Sequence, residues 1–314
     1  MAAASAPLAK GLFMTADPTG HRFHLRGEHS SAEIAQVGAA LRALTVEGVD
    51  LVPRYADDLP TPAASGVVLV PWPNRIRDGK YSFGGEDLQL AISEPKFGNA
   101  SHGLLRFGTY QPIEHTDERL VLAADVVPQT GYPFHLRTRV TFALEADGLH
   151  VTHDIENVGA KTAPLALGVH PYLQIGGVPT EDLVVHSTGT TTLVLDERNI
   201  PVDEVPVGPA DDLRDGRRLG DASLDNGYRG LERDAEGRAH HTLTAPDGRS
   251  VQLWQDAGFR WAQVFTTDRY PGHPLAVAIE PMTAPANAFA TGIDLESLEP
   301  GGKLTREWGI RFTS

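Results

Sequence analysis

Over long stretches the chain alternates apolar and polar positions with the two-residue period of half-buried strands. In residues 134–144, Phe134, Leu136, Val140, Phe142 and Leu144 share one face, and His135, Arg137, Arg139 and Thr141 share the other. Asp147-Gly148 follows as a turn, after which Leu149, Val151, His153 and Ile155 alternate with His150, Thr152, Asp154 and Glu156. This pattern predicts a β-hairpin. A second hairpin is expected to join residues 241–245 to 250–254 through Pro246-Asp247-Gly248. Short apolar runs at 67–70, 120–127, 261–266 and 275–279 add further strands. Residues 31–51 are ambiguous. Ile34, Val37, Leu41 and Leu44 fit a helical stripe, yet Gly38 interrupts it and Thr45 to Leu51 has the form of a tight hairpin. Periodicity leaves that segment open, with a lean towards strands because its surroundings are β. Residues 196–236 are acidic and aperiodic, and are expected to form a long excursion between strands. The chain shows no internal repeat. The expectation is a single β-sandwich domain over residues 21–314, preceded by a disordered start over residues 1–20.

Two of the apolar runs end alike. Leu165-Ala166-Leu167-Gly168-Val169 leads to His170 and Pro171, and Ala276-Val277-Ala278-Ile279 leads to Glu280 and Pro281. Each places one titratable group at a strand end, where proline, lacking an N–H, is expected to stop pairing. A lone histidine among apolar residues can be a satisfied structural group, and Glu280 can be half of a structural ion pair with an arginine. A buried carboxylate does need a partner or a function, because an unpaired buried charge is costly. Three other stretches offer polar groups: residues 71–80, with Asn74, Arg75, Arg77 and Lys80; residues 101–106, with His102 beside Gly103 and then Arg106; and residues 224–228, with Asp225.

Composition narrows the field. The 32 glycines and 23 prolines suit many short strands joined by turns. A formal net charge of -14 argues against nucleic acid or an anionic membrane as partner. There is no cysteine, hence no disulfide framework or thiolate site. Residues 1–9 are Ala-rich with their first basic residue after the apolar part, the reverse of a signal peptide, and nowhere do about 18 apolar residues run together. A soluble, cytoplasmic protein is expected. Despite thirteen histidines, no metal site is expected. His150 and His153 differ by an odd number on a strand and so point to opposite faces, as do His240 and His241, while His21, His24 and His29 lie near the expected mobile start. No Gly-rich phosphate loop or nucleophile-elbow serine is present.

Together these stretches resemble the aldose 1-epimerase (galactose mutarotase) family. The resemblance runs from about residue 23 to 312, and rests on Asn74-Arg75-Ile76 with Gly79, on His102-Gly103, on His170-x-Tyr172, on Asp225 and on Glu280-Pro281. The ending Leu298-Glu299-Pro300-Gly301-Gly302 is also similar to the family's last hairpin. It implies an all-β fold, one large antiparallel β-sandwich of the supersandwich kind, with residues 31–51 as strands and a sugar cleft on one concave sheet. By position it makes Glu280 the general base, His170 the general acid and His102 a second active-site histidine. Arg75, Asp225 and Asn74 would hold sugar hydroxyls, and Tyr172 could pack on the C–H face of the sugar. The implied partner is a small-molecule sugar, with no cofactor and with a monomer or homodimer as the assembly.

The chemistry needs these residue types. Anomers interconvert by opening the hemiacetal ring, rotating about C1–C2 and closing again. One group takes the proton of the C1 hydroxyl while another protonates the ring oxygen, and the roles reverse on closure. An ionised Glu280 and a protonated His170 would meet that requirement. The sequence departs from the best-known galactose mutarotase pattern at Leu104, at Gly168 and Val169, and at Met282, where glycine, polar residues and glutamine are common. These departures are expected to alter the pocket and the preferred sugar, while leaving the reaction type. Two other readings remain: a hexose-phosphate 1-epimerase gripping phosphate through Arg75, Arg77, Lys80 and Arg106, and a non-catalytic carbohydrate-binding domain.

Overall fold

The computed structural model describes residues 16–314, so most of the expected disordered start lies outside the described residues. Asp17 to Gly20 form a turn in which Thr19 is buried and Asp17 caps it. His24 sits on the first strand, Arg22–Arg26.

All named strand pairings are antiparallel. The expected hairpins are present: Leu136–Glu145 pairs with Gly148–Asn157, and Ala239–Thr244 with Ser250–Gln255. They belong to a nine-stranded sheet that also contains Arg119–Val126 and the last strand, Lys303–Thr313. The ambiguous segment is strand, Ser30–Ala35 and Ala40–Val46, turning into Val49–Asp50 through Glu47 and Gly48, both at positive φ. The helical stripe fails because Gly38 and Ala39, also at positive φ, reverse the chain midway.

An eight-stranded sheet carries most of the candidate site residues. Across it run Asp225–Arg229, Trp261–Thr267, Ala276–Met282, Gly168–Val169 and Val68–Leu69, each hydrogen-bonded to the next. Val277 and Ile279 face the main hydrophobic core, which also takes in Ala262, Val264 and, from the nine-stranded sheet, Val151 and Ile310. Ala276 and Ala278 face the other way, against Tyr55, Tyr172 and Tyr270. Strand periodicity therefore turns Glu280, two residues beyond Ala278, away from the main core.

Two expectations need correction. Residues 196–236 are not one excursion: they include Pro201–Pro206 and Asp225–Arg229, the latter an interior strand of the eight-stranded sheet. Its sequence, Asp-Asn-Gly-Tyr-Arg, shows no apolar alternation because Asp225, Gly227 and Arg229 share one face, with Asp225 in the cleft, and Asn226 interrupts the other. Pro281 does not end its strand, since Ala276–Met282 continues through it with Pro281 opposite Ala262.

Candidate active site

The site is a row of side chains laid across neighbouring strands. Gln263 is the direct cross-strand partner of Glu280, and Asp225 pairs with Phe265 on the strand beyond. The Gln263 amide donates to Asp225 Oδ1 at 2.7 Å. On the other side of Glu280, His170 Nε2 lies 3.2 Å from Glu280 Oε1. His170 is held in place by its backbone, which donates to Val67 O at 3.2 Å and accepts from Gly66 N–H at 2.8 Å. The row forms the floor of a cleft of about 410 Å³. A larger groove, about 590 Å³, lies over the Lys80–Phe83 strand and holds none of the expected site residues.

The cleft wall comes from the short pair Arg75–Arg77 and Asn99–Ser101. Asn74 and His102 flank it, both in the left-handed region, at φ 53° and 61°. Asparagine and histidine tolerate that region better than most residues. They are locked to each other: His102 N–H donates to Asn74 O at 2.8 Å, and Asn74 N–H to His102 Nδ1 at 3.2 Å. Because Nδ1 accepts, the ring proton of neutral His102 sits on Nε2. Gly103 follows at φ 75°, where a Cβ would stand 2.2 Å from Val70 O, so only glycine fits. Arg75 donates from Nε and Nη2 to the two oxygens of Glu94, at 2.8 and 3.0 Å. This bidentate pair fixes the guanidinium at the cleft.

Burial dominates the electrostatics. It pushes the His170 pKa down to about 3, aided by Arg106 and Arg75, and pushes Glu280 well above the usual carboxylate range, aided by Asp225 and opposed by Arg75. His102 is pushed down by burial and then by His170, Arg106 and Arg75. Burial also raises Asp225, against the pull of Arg75 and the Gln263 hydrogen bond. Burial thus favours neutral His170 beside protonated Glu280, rather than the expected ionised pair. Either form holds one mobile proton, with one donor and one acceptor in contact. Glu280 Oε2 is buried without a hydrogen-bond partner among the described residues, so it is free to engage a ligand hydroxyl. Nor is Glu280 in an arginine ion pair among the described residues; its partner is His170.

Asn74, Arg75, His102, His170, Asp225 and Glu280 all line this one cleft. Tyr172 does not. It is fully buried behind His170, stacked on the imidazole with centroids 5.3 Å apart and packed against Tyr270 at 4.9 Å. Strand Tyr172–Leu173 pairs with Ala276–Met282, with Tyr172 opposite Ala278, so the ring lies on the Glu280 face of the sheet but is covered there by Tyr55 and Tyr270. The aromatic residue on the cleft surface is Phe265. Sequence reasoning missed Phe265, Gln263 and Glu94. The first two could have been found by alternation from Trp261, once that strand was placed beside Glu280, whereas Glu94 lies in a turn with no sequence signal. The family departures are also displaced from the cleft lining. Val169 and Met282 are fully buried, Gly168 faces Pro73 and Met282, and Leu104 packs on the core. No cluster of three or more histidine or acidic side chains able to hold a metal occurs among the described residues, and no helix among them is long and apolar enough to cross a membrane.

The fold is shared with solved structures of low sequence identity. The GalM/aldose epimerase homologue of C. elegans superposes with a TM-score of 0.81 at 18% identity, over 93% of this chain and 98% of the other. The galactose 1-epimerase of Lactobacillus acidophilus NCFM gives 0.76 at 19% identity, over 92% and 93%. In sequence, the chain is 34% identical over 278 residues to the uncharacterized protein YihR of Escherichia coli (strain K12), covering 86% of each. Residues 21–311 match the aldose 1-epimerase family. That span includes both large sheets and every side chain of the cleft, and the chain therefore belongs to the aldose 1-epimerase family.

Proposed function

We propose that the protein is an aldose 1-epimerase that interconverts the α and β anomers of an aldose by acid–base ring opening and closure. The observation carrying this reading is the buried contact between His170 Nε2 and Glu280 Oε1, 3.2 Å apart on the floor of an open cleft. Mutarotation needs one proton acceptor and one proton donor at two oxygens bonded to the same carbon, and a contacting pair with one mobile proton supplies both. With the proton on His170, Glu280 removes the hydrogen of the C1 hydroxyl as His170 Nε2–H protonates the ring oxygen. The C1–O5 bond breaks, the aldehyde forms, and rotation about C1–C2 exposes its other face. Closure runs the same transfers backwards, leaving the enzyme as it began.

The other groups bind and orient. Arg75, fixed by Glu94, and Asp225, fixed by Gln263, offer charge-assisted hydrogen bonds to sugar hydroxyls. His102 offers its Nε2–H as a donor. Phe265 takes the C–H face of the sugar, the role first expected of Tyr172. A pure binding module would need no acid–base pair buried at such desolvation cost, which favours turnover over the carbohydrate-binding alternative. Polarimetry of freshly dissolved single anomers tests the reading. Acceleration by the native protein that disappears in Glu280→Gln is expected; no acceleration of any aldose in a broad panel refutes it.

A further inference from the structure

Four cations near the cleft in sequence have different fates in the structure. Arg75 has its fork filled by Glu94. Arg77 is ion-paired with Asp196. Lys80 is exposed over the separate groove. Arg106 is the exception: it lines the catalytic cleft, and among the described residues its side chain forms no ion pair and no hydrogen bond. Its Nε is buried without a partner, and its guanidinium lies 4.9 Å from the centre of the Phe107 ring. Glu94 acts on it only at a distance, its own oxygens being taken by Arg75, and a half-buried guanidinium with no contacting anion is costly. Arg75 and Arg77 each have a carboxylate, whereas the Arg106 fork reaches the cleft unpartnered among the described residues.

Resting on the epimerase reading, we propose that Arg106 receives a singly charged acidic substituent of the substrate, a carboxylate or sulfonate, so that the preferred substrate is an acidic aldose rather than a neutral hexose. A phosphate dianion fits less well, because it needs several converging cations. Among the described residues that line the cleft, Arg106 is the one unpaired cation set inside it; Lys96 is exposed at the rim, and the carboxyl groups of Asp225 and Glu94 line the same cleft. The pairing also bears on chemistry. Arg106 acts on both His170 and His102 to hold protons off them. An anion seated on Arg106 cancels that influence and eases the proton onto His170, where ring opening needs it. The substituent thus acts on kcat as well as KM.

The test compares anomer exchange, read from anomeric-proton NMR, for glucose, glucuronate, a 6-sulfonated glucose and glucose 6-phosphate. The native protein, Arg106→Gln and Arg106→Lys are used. The expected result is a kcat/KM at least tenfold higher for the carboxylate or sulfonate sugar than for glucose, the size of a charge-assisted hydrogen bond. Arg106→Gln should collapse that ratio through both kcat and KM, and Arg106→Lys should restore part of it. Equal kcat/KM for glucose and the acidic sugars in the native protein, which requires no variant to fold, overturns the proposal. So does a preference that survives Arg106→Gln, and a preference for the phosphate overturns the single-charge assignment. Activity on neutral sugars alone leaves the epimerase reading standing without it, whereas inactivity on all four, extended to the broad panel, ends both.

Discussion

Replacing Glu280 by glutamine removes a carboxyl that the folded chain keeps protonated far above its ordinary value of 4.5. The unfolded chain ionises there. Above pH 4.5 the folded state consequently holds one more proton than the unfolded state, and stability falls as pH rises towards the folded pKa. His170 has the opposite sign. Its folded value is about 3 against an ordinary 6.5, so between them the unfolded state holds the extra proton and stability rises with pH. Each slope is about 1.4 kcal/mol per pH unit. Above pH 4.5 the two slopes oppose each other in the native protein. In Glu280→Gln only the His170 slope remains. The stability of the variant relative to the native protein should therefore rise with pH above 4.5, for as long as the native Glu280 stays protonated in the folded state. Any change in the contact with His170 adds an offset that leaves the sign of the slope unchanged. Urea unfolding of both proteins at several pH values and constant ionic strength measures the difference directly. Parallel stability profiles would mean that Glu280 ionises in the folded protein like an exposed carboxyl, which would refute the dry, one-proton pair.

Asp225→Ala should raise KM by about tenfold or more, the loss of a charge-assisted contact; unchanged KM and kcat in steady-state assays would remove Asp225 from the site. Tyr172→Phe deletes a buried hydroxyl that has no partner among the described residues, so a thermal melt should change by less than about 0.5 kcal/mol or improve slightly. Tyr172→Ala, by contrast, should cost about 3–5 kcal/mol through the cavity left under His170. Gly103→Ala forces a Cβ against Val70 O at 2.2 Å and at φ 75°, and should destabilise by more than about 1 kcal/mol while lowering kcat by displacing His102.

What could be read from the sequence followed from burial. Strands whose one face meets the core write that fact as alternation, so 134–157 and 239–255 were placed closely. His170 and Glu280 stood out because each interrupts an otherwise apolar run, the signature of a charge kept at a folding cost. Asp225–Arg229 was lost for the converse reason: it is buried by its neighbours in the sheet and carries site groups where apolar residues would normally appear. Gln263 and Glu94 act by fixing Asp225 and Arg75, and such positioning depends on side chains brought together from distant segments. Tyr172 shows the limit of motif transfer. Its place in His170-x-Tyr172 puts it beside the site, on the same face as Glu280, but Tyr55 and Tyr270 cover it and keep it out of the cleft.

The departures from the familiar family pattern then take on a different meaning. Gly168 and Met282 are cross-strand partners, and a Cβ on residue 168 would stand 2.6 Å from Pro73 and 3.4 Å from the Met282 side chain. The long thioether occupies space that a side chain at 168 would need, so the two departures form one packing solution next to the site. They do not reach the cleft, and neither does Val169. A change of sugar therefore has to be written elsewhere, on residues that touch the open volume. Those are carried mainly by the turns holding Glu94, Lys96, His102 and Arg106, which vary without disturbing the sheet. The acid–base pair sits on rigid paired strands while the distinguishing cation sits on a turn. This division allows substrate preference to change while the proton-transfer geometry stays fixed.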